Sequence, residues 1–371
     1  MTILITGTAG FIGFHLARRL LAEGHRVHGV DNLNDYYDPS LKQARLALLL
    51  PERGFSFQHL DIADSEATAR LFRQNSFDAV INLAAQAGVR HSLKNPIVYV
   101  NSNLLGFVNV LEGCASAQVR HLVFASSSSV YGANRKVPFS LEDRTDHPVS
   151  LYGATKKANE LIAHSYSHLY GLAMTGLRFF TVYGPWGRPD MAYYKFVRAI
   201  DEARPIDLYN NGEMHRDFTY VDDVVEGIIR VLAAPPARSL REERPDATAS
   251  NARFRVYNVG NSQTVSLTRF VDIVEEALSK KAIRNYLPMQ PGDVSRTHAD
   301  TSALFRDTGF APHTPLETGI KNFVQWYREY YAMPVGSVYA QRPVLSPGEP
   351  TTCVLPSATG QVQENSYVVE A

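Results

Sequence analysis

A glycine-rich turn between an apolar strand and an amphipathic helix is the feature that most constrains this chain. Residues 3–5 are Ile-Leu-Ile, and the string TGTAGFIG follows at residues 6–13. In such a turn Gly7 allows the sharp change of direction, Gly10 lets the backbone approach a diphosphate, and Gly13 lets the helix pack closely on the strand. The N–H groups that are free at the helix N-terminus attract phosphate. The turn therefore predicts a dinucleotide site, although its G-x-x-G-x-x-G spacing is weaker evidence than the commoner G-x-G-x-x-G.

An acidic residue after the second predicted strand supports this interpretation. The strand at residues 26–30 leads into Asp31, about 20 residues beyond the turn, where a carboxylate can accept hydrogen bonds from the adenosine ribose. Because a carboxylate there repels a 2′-phosphate, the sequence favours NAD over NADP. Beyond Asp31 and Asn32, the polar loop 31–39 is interpreted equally well as a direct ligand contact or as a solvated connection. Asp61, after the third strand, is interpreted either as an adenine contact or as a helix N-cap.

Short apolar strands alternate with helical patterns over the first half of the chain, which is typical of a parallel sheet covered by helices on both faces. The expected fold class is α/β, with a Rossmann-type doubly wound parallel sheet in residues 1–180 and later elements near 217–260 returning to it. Residues 181–333 are expected to form mainly a smaller, mixed α/β substrate-binding domain, and residues 334–371 a loosely ordered C-terminal tail. Further predicted elements are strands at 55–60, 79–83, 121–125, 174–179, 206–209 and 256–259, helices at 152–169, 267–278 and 315–331, and a flexible loop at 235–251.

The composition argues against several classes of protein. With 371 residues, of which 45% are hydrophobic, the chain can bury a large core in one big or two intimate domains. Lys+Arg and Asp+Glu both number 37 without a dense basic cluster, so neither nucleic acid nor a membrane is an expected partner. No apolar run is long enough to cross a bilayer, and the N-terminus enters the first strand directly, so a cytoplasmic location is expected. Cys114 and Cys353 are not expected to pair, and the 12 histidines lack metal-ligand spacing, so no metal site is expected.

A tyrosine and a lysine four residues apart are candidates for acid–base chemistry. Tyr152 and Lys156 lie at the start of a predicted helix and face the same side of it. An ammonium near a phenol lowers the phenol pKa from about 10 toward neutrality, as does an oxidised nicotinamide, and the phenolate is then a general base. A Tyr-x-x-x-Lys pattern alone is often an ordinary helix surface, so the serine cluster 126–129 matters. The Ser127 hydroxyl can address the same substrate oxygen as Tyr152, while a hydrogen-bonded turn is the alternative interpretation for one or two of the serines.

Several strings in the chain resemble a known family. TGTAGFIG, SSSSVYG and YGATK are similar to the corresponding strings of the extended short-chain dehydrogenase/reductase family, and in particular of its nucleotide-sugar epimerases. The longer strings look like those of the UDP-glucuronate 4-epimerases: AAQAGVRHS, RFFTVYGPWGRPDM, RDFTYVDD and MQPGDV. The resemblance spans residues 1–332, and the tail after Met333 matches nothing in that family.

The resemblance implies an NAD-dependent isomerase that interconverts UDP-glucuronate and UDP-galacturonate through a transient 4-keto intermediate. It implies that Tyr152 takes the proton of the sugar 4-hydroxyl, that Lys156 orients the nicotinamide ribose, and that Ser127 steadies the reacting oxygen. It also implies a homodimer that pairs through the helices around 101–114 and 151–169. The implied cofactor contacts are Gly7, Gly10, Phe11, Ile12, Gly13, Asp31, Asn32, Asp61, Ile62, Ala84, Gln86, Asn101, Ser126, Tyr152, Lys156 and Phe179.

A uronic acid substrate imposes a chemical demand of its own. Oxidised at carbon 4 it is a β-keto acid, which loses carbon dioxide when the bond to its carboxylate aligns with the ketone. Arg188 is the cation expected to hold the carboxylate, since a guanidinium can bind it through two parallel hydrogen bonds; an ordinary surface arginine is the alternative. Further substrate contacts are expected at Thr181, Ser128 and Ser129 for the carboxylate, at Arg216 for the diphosphate, and at Tyr209, Gln290, Asp293 and Arg296 around the uridine. Asp222 and Asp223 are expected to cap a helix.

Three other functions remain open at this point. A UDP-glucose/UDP-galactose 4-epimerase would act on a neutral sugar, and a UDP-glucuronate decarboxylase would release UDP-xylose. A non-catalytic NAD-binding sensor or scaffold is the alternative outside the enzymes, but such a protein usually loses the tyrosine or the lysine, and this chain keeps both. A 4,6-dehydratase is disfavoured because that branch places an Asp-Glu pair where this chain has Ser128 and Ser129.

Overall fold

The computed structural model describes residues 1–238, 251–290 and 293–332. Most of the predicted loop 235–251, the predicted tail and Cys353 lie outside the described residues. The strands are β1 Thr2–Thr6, β2 Arg26–Asp31, β3 Phe55–His59, β4 Ala79–Asn82, β5 His121–Ser127, β6 Ala173–Phe179, β7 Thr181–Tyr183, β8 Ile206–Leu208, β9 His215–Tyr220, β10 Phe254–Val259, β11 Thr264–Ser266 and β12 Arg284–Tyr286. The helices are α1 Phe11–Ala22, α2 Pro39–Leu49, α3 Ser65–Gln74, α4 Val89–Lys94, α5 Pro96–Tyr99, α6 Gly106–Ser116, α7 Leu151–Tyr170, α8 Ala192–Asp201, α9 Val221–Ala233, α10 Leu267–Leu278, α11 Ser302–Thr308 and α12 Leu316–Ala332.

The central sheet has seven strands in the order β10-β6-β5-β4-β1-β2-β3, and every neighbouring pair is parallel. The chain runs outward from β1 through β2 to β3 and then crosses back to β4 on the other side of β1. Ligands bind at such a reversal of strand order, outside the carboxyl ends of the strands. The α/β fold class with a Rossmann-type, doubly wound parallel sheet is thereby confirmed, and β10 returns to the sheet from beyond residue 217, with Val259 opposite Phe179.

Two smaller sheets stand beside the central one. Strands β11, β9 and β7 form a mixed three-stranded sheet, and β12 pairs in parallel with β8. Their shared core is aromatic: Phe218 of β9 stacks on Phe270 of α10 with ring centroids 4.6 Å apart. Helix α12 presents Phe323 and Trp326, one turn apart, to Tyr194 of α8, which explains why an amphipathic helix forms there.

Helix α7 carries the predicted catalytic pair, and its ends are fixed locally. The Ser150 hydroxyl accepts a hydrogen bond from the Gly153 N–H at 3.1 Å, and Gly171 ends the helix in the left-handed conformation at φ 68°. A Cβ at Gly153 would lie 2.6 Å from the Ser129 carbonyl oxygen, so only glycine lets the first turn of α7 touch the serine segment after β5. The start of α7 is thereby placed against the carboxyl end of β5.

Within the described residues, no helix combines the length and the apolar character that crossing a membrane requires. The same part of the chain contains no group of three or more His, Cys, Asp or Glu side chains arranged to hold a metal ion.

Candidate active site

A cavity of about 460 Å³ lies at the carboxyl ends of the central strands and extends toward the smaller sheets. It brings together nearly all the residues expected to contact cofactor or substrate. From the cofactor set it is lined by Gly7, Gly10, Phe11, Ile12, Gly13, Asp31, Asn32, Asp61, Ile62, Ala84, Gln86, Ser126, Tyr152, Lys156 and Phe179, and from the remaining set by Ser127, Ser128, Ser129, Thr181, Arg188, Arg216 and Asp293. The lining does not include Asn101, Tyr209, Gln290 or Arg296.

The glycine turn forms a cradle that side chains would fill. A Cβ at Gly7, whose φ is 73°, would lie 2.8 Å from the Ala84 nitrogen, and one at Gly10 would lie 2.8 Å from the Gly7 carbonyl oxygen. A Cβ at Gly13 would lie 2.2 Å from that same oxygen. Bare backbone is therefore required at all three positions, which is the condition for a diphosphate to approach the N-terminus of α1. The turn fits the dinucleotide that the sequence predicts.

Substitution of Gly13 by alanine should therefore remove dinucleotide binding. The added methyl group would meet backbone atoms of Gly7 and Thr8, which cannot move aside as a flexible side chain does. Overpacking of this kind costs about 1–3 kcal/mol of folding stability, and the displaced turn loses its fit to the diphosphate. The amount of nucleotide bound to the purified protein measures the loss of binding, and the temperature of thermal unfolding measures the loss of stability. Gly24→Ala is the control, because Gly24 has no atom within 4 Å of its Cβ position, while its positive φ, 81°, makes an alanine there strained. Gly24→Ala should lose stability and keep the nucleotide, and nucleotide retained by Gly13→Ala would contradict the assignment.

The residues expected to contact the adenosine are held by one another and by the backbone. The buried carboxylate of Asp31 accepts hydrogen bonds from the Ala9 N–H at 3.1 Å and the Leu33 N–H at 2.8 Å. The Asn32 amide donates to Asp61 at 3.0 Å. Asp61 does not cap α3, as one interpretation of the sequence had it, because Asp64 does so by accepting from the Ala67 N–H. Asp61 is thereby left at the cavity wall.

Asn101 lies outside the cavity, whereas its neighbour Ser102 lines it. Residues Val100–Leu105 form a π-helical turn, in which the wider winding shifts side chains to faces that α-helical spacing does not predict. Asn101 is exposed, Ser102 lines the cavity, and the buried Asn103 accepts from the Gln86 N–H at 2.8 Å and donates to the Gln86 carbonyl at 3.0 Å. Asn103 therefore fixes the backbone of one cavity residue without lining the cavity itself.

The predicted catalytic triplet, Ser127, Tyr152 and Lys156, lies together in the cavity wall. The Ser127 hydroxyl hydrogen-bonds to Tyr152 and lowers its pKa, but burial raises the pKa of this phenol by more. Lys156 does not contribute to the lowering that was expected of it, because its Nζ donates to the Ala125 carbonyl oxygen at 2.9 Å. Burial in turn lowers the pKa of Lys156 to about 8. The hydroxyl partner of Tyr152 is therefore Ser127. The Lys156 ammonium is held against the backbone near the carboxyl end of β5.

The hydrogen-bonded turn, one of the two interpretations of the serine cluster, is present at Ser127. Ser127 accepts from the Ser129 N–H at 3.1 Å, which makes the hydrogen-bonded turn, while the same side chain faces Tyr152. Ser126 instead donates to Glu160 at 2.6 Å. Glu160 lies one helical turn beyond Lys156 and binds the buried Arg178 of β6 through two hydrogen bonds of 2.8 Å. This buried ion pair, which the sequence analysis missed, ties α7 to β5 and β6; the acidic residue four places after Lys156 was its only local signal.

Arg188 faces the cavity but is already paired. Its Nη2 donates to Asp190 at 3.0 Å, and the Tyr36 hydroxyl donates to the same carboxylate oxygen at 3.1 Å. A guanidinium has five N–H donors, so this pairing leaves Arg188 with further donors toward the cavity. The arginine is therefore not the ordinary surface residue of the alternative interpretation, and Asp190 and Tyr36 fix where its charge is held.

The side expected to receive the diphosphate and uridine is built in two layers. Arg216 and Asp293 line the cavity, and Arg90 of α4 lies behind them, bonded to Asp293 at 2.8 Å and stacked over the Tyr209 ring at 4.8 Å. Tyr209 contacts Arg90 and is not itself part of the cavity lining. Arg296, also outside the lining, donates to Thr264 at 3.3 Å.

The two aspartates at the start of α9 do not cap it, contrary to expectation. Both lie within its first turn, and Tyr220 occupies the N-cap position. Asp223 instead accepts from the backbone N–H groups of His313 and Thr314 at 3.2 and 2.9 Å, which fastens the loop that leads into α12. Asp222 lies 3.7 Å from the ring of His15 on α1. Neither aspartate lines the cavity.

Comparison with known proteins places this geometry in a family. Residues 3–260 match the model of the NAD dependent epimerase/dehydratase family. The chain is 51% identical over 334 residues to a probable UDP-glucuronate 4-epimerase from Rhizobium meliloti (strain 1021), covering 89% of this chain and 98% of the relative. It superposes with a TM-score of 0.80 and 31% identity on the UDP-glucuronic acid 4-epimerase from Bacillus cereus in complex with UDP-glucuronic acid and NAD, covering 89% of this chain and 100% of that one. The UDP-glucose 4-epimerase from Thermotoga maritima with UDP-glucose has a TM-score of 0.77 and 29% identity over 89% of this chain and 100% of that one. With its glycine cradle and its Tyr152–Ser127 pair in one cavity, the chain belongs to the NAD dependent epimerase/dehydratase family.

Proposed function

We propose that this protein interconverts UDP-glucuronate and UDP-galacturonate as an NAD-dependent 4-epimerase, through a transient 4-keto sugar. The observation that carries the proposal is the single cavity in which the glycine cradle, Tyr152 and Arg188 meet. The glycine cradle accounts for binding of NAD, Tyr152 for proton transfer, and Arg188 for binding of an acidic sugar. The likeness to the Rhizobium and Bacillus epimerases supports the same substrate.

The roles of the side chains follow from their partners. Bound NAD supplies the acceptor and donor of hydride for carbon 4 of the sugar. Tyr152 takes the proton of the 4-hydroxyl and later returns it, and Ser127 donates to the phenolate that this transfer requires. The charge of Arg188 also lowers the pKa of Tyr152, against the larger opposing effect of burial. Lys156, anchored on the Ala125 carbonyl, holds a positive charge at the strand edge where the nicotinamide ribose is expected.

Retention of the carboxylate distinguishes this reaction from decarboxylation. The 4-keto sugar must present its opposite face before it is reduced, and throughout that time it is a β-keto acid. Arg188, held by Asp190, can keep the carboxylate bond out of line with the ketone, and the hydroxyls of Thr181 and Ser128 lie in the same cavity wall. The cavity is therefore suited to a charged sugar rather than a neutral one.

Incubation of the purified protein with UDP-glucuronate, without added cofactor, tests the proposal. Proton NMR should show UDP-galacturonate accumulating to a constant ratio with UDP-glucuronate, and no UDP-xylose. UDP-xylose as the main product would identify a decarboxylase instead. Equal kcat/KM for UDP-galactose would favour the neutral-sugar epimerase, and bound NAD without turnover of either sugar would favour the sensor.

We also propose that the protein is a homodimer and resides in the cytoplasm. Several large apolar side chains are exposed on α5 and α7, where Ile97 is 66%, Leu161 60% and Leu169 69% exposed. Exposed apolar patches of this kind mark interaction surfaces, and a second copy of the same surface is the partner the family resemblance implies. The buried free thiol of Cys114 is compatible with a reducing compartment.

Leu161→Asp should convert this dimer to a monomer. A carboxylate within an apolar interface between two copies has to leave water, and the apolar side chains around it do not replace its hydrogen bonds, so association weakens sharply. Sedimentation velocity at micromolar concentration measures the change. Phe305→Asp is the matched control, since Phe305 is 58% exposed on α11, away from this surface, and should leave the dimer intact. A wild-type protein that sediments as a monomer would contradict the dimer proposal.

A further inference from the structure

One fully buried arginine joins the cofactor turn to the segment that carries Arg188. Arg45 lies on α2 and has 0% exposure. Its Nη1 donates to the carbonyl oxygen of Ala9 and to the Tyr37 hydroxyl, both at 2.8 Å. Its Nη2 donates to the carbonyl oxygen of Trp186 at 2.6 Å and to that of Gly187 at 3.4 Å. The guanidinium thus connects two chain segments that are far apart in the sequence.

The segment before Arg188 has a conformation that needs such support. Trp186 has φ 60°, a left-handed value that costs free energy for any residue other than glycine. A Cβ at Gly187 would lie 1.9 Å from the Tyr193 hydroxyl, so this backbone passes directly against α8. The Trp186 ring packs on Phe14 of α1, with centroids 5.4 Å apart. The path of the chain into Arg188 is therefore set by contacts with the cofactor helix and by the carbonyl contacts of Arg45.

A stabilising ion pair does not account for Arg45. In the part of the chain that the structure describes, no carboxylate lies within ion-pair distance of it, and its Nε has no hydrogen-bond partner. A buried charge of this kind is costly, and an apolar residue of similar volume is often the more stable choice. What the guanidinium provides is a rigid, planar fork of donors with fixed directions, which a lysine lacks. Its four acceptors are the Ala9 carbonyl of the cofactor turn, the Tyr37 hydroxyl of the loop before α2, and the carbonyls of Trp186 and Gly187 before Arg188.

We propose that Arg45 is a positioning residue that couples the cofactor turn to the Arg188 segment. Through Ala9 it fixes the turn whose N–H groups face the diphosphate of NAD, and through Trp186 it fixes the origin of the Arg188 side chain. Bound cofactor and the carboxylate-holding arginine then depend on one side chain that touches neither ligand. The proposal rests on the proposed function for the role of Arg188, but its structural part concerns only the two segments.

Arg45→Lys tests the coupling, because it keeps the charge and removes the fork. Hydrogen exchange of peptides covering 6–13 and 184–191 is measured on the NAD-loaded protein without any sugar, together with the NAD retained after gel filtration. In the variant both peptides should exchange faster, and the affinity for NAD should fall about tenfold, as expected for the loss of a charge-assisted hydrogen bond. With UDP-glucuronate, KM should rise by a larger factor than kcat falls.

Glu275→Gln controls for a general loss of stability. Glu275 is a buried carboxylate of α10 that is bonded to Lys281, Arg284 and the Ala282 N–H, and none of these residues lines the cavity. When Glu275→Gln loses as much thermal stability as the Arg45 variants, it should still retain NAD, and both peptides should exchange hydrogen as slowly as in the wild type. Arg45→Gln, which also removes the charge, serves if Arg45→Lys folds poorly. If the Arg45 variants match Glu275→Gln in exchange and in NAD content, Arg45 is only a structural residue. A wild-type protein that does not turn over UDP-glucuronate would defeat the proposed function but leave the exchange result readable.

Discussion

Replacement of Tyr152 by phenylalanine should lower kcat for epimerisation about 10³-fold, within the range of about 10²–10⁴ that general acid–base catalysis contributes. The substitution removes only the hydroxyl that Ser127 addresses, and the ring keeps its edge-on contact with Tyr99 at a centroid distance of 6.2 Å. The fold and the NAD content should therefore persist, and the KM for UDP-glucuronate should stay close to wild type. Steady-state kinetics together with the bound NAD content distinguish lost chemistry from lost binding.

Tyr166→Phe is the matched control on the same helix. The Tyr166 hydroxyl donates to Glu112 on α6 and does not line the cavity, so kcat should remain close to wild type. If Tyr152→Phe retained more than a tenth of the wild-type kcat, another group would have to transfer the proton. The buried Lys156, whose pKa is lowered to about 8, would then be the first alternative to test.

The features that could be predicted from the sequence are those that depend on near neighbours along the chain. The glycine turn, the acid at the end of β2 and the helix that carries Tyr152 and Lys156 are each contained in a short stretch with a strict spacing. The alternation of strands and helices predicted the parallel sheet for the same reason. Strand β10 was predicted at residues 256–259, and its pairing with β6 agrees with the expected return of the chain to the central sheet.

The features that could not be predicted depend on contacts between distant parts of the chain. Glu160 and Arg178 pair because β6 lies beside α7, and Arg45 reaches Trp186 across 141 positions. Asn101, which the family resemblance implied as a cofactor contact, is exposed in a π-helical turn and lies outside the cavity, because side chains shift to other faces where the winding changes. The expected effect of Lys156 on the pKa of Tyr152 was inferred from the spacing of the two residues and from the family resemblance. In the fold the ammonium is directed at the β5 backbone.

Replacement of Arg188 by alanine should lower kcat/KM for UDP-glucuronate about 10²-fold, as expected when a bidentate, charge-assisted contact is lost. It should also release UDP-xylose, because a 4-keto uronate that is no longer held can align its carboxylate with the ketone and lose carbon dioxide. Turnover of UDP-galactose, which lacks the carboxylate, should change much less. NMR of the product mixture gives the share of UDP-xylose directly.

The partner of Arg188 decides how that result is interpreted. Removal of the guanidinium leaves the Asp190 carboxylate beside the cavity with the Tyr36 hydroxyl as its one remaining hydrogen-bond partner among the described residues. This negative charge would repel a uronate even if Arg188 had never bound it. The double variant Arg188→Ala/Asp190→Asn removes both charges and so separates the two effects. If Arg188 holds the carboxylate, the double variant should remain at least about tenfold below wild type on UDP-glucuronate and still release UDP-xylose. Recovery of wild-type kcat/KM without UDP-xylose would mean that Arg188 serves only to neutralise Asp190, and the hydroxyls of Thr181 and Ser128 would then have to retain the carboxylate by themselves.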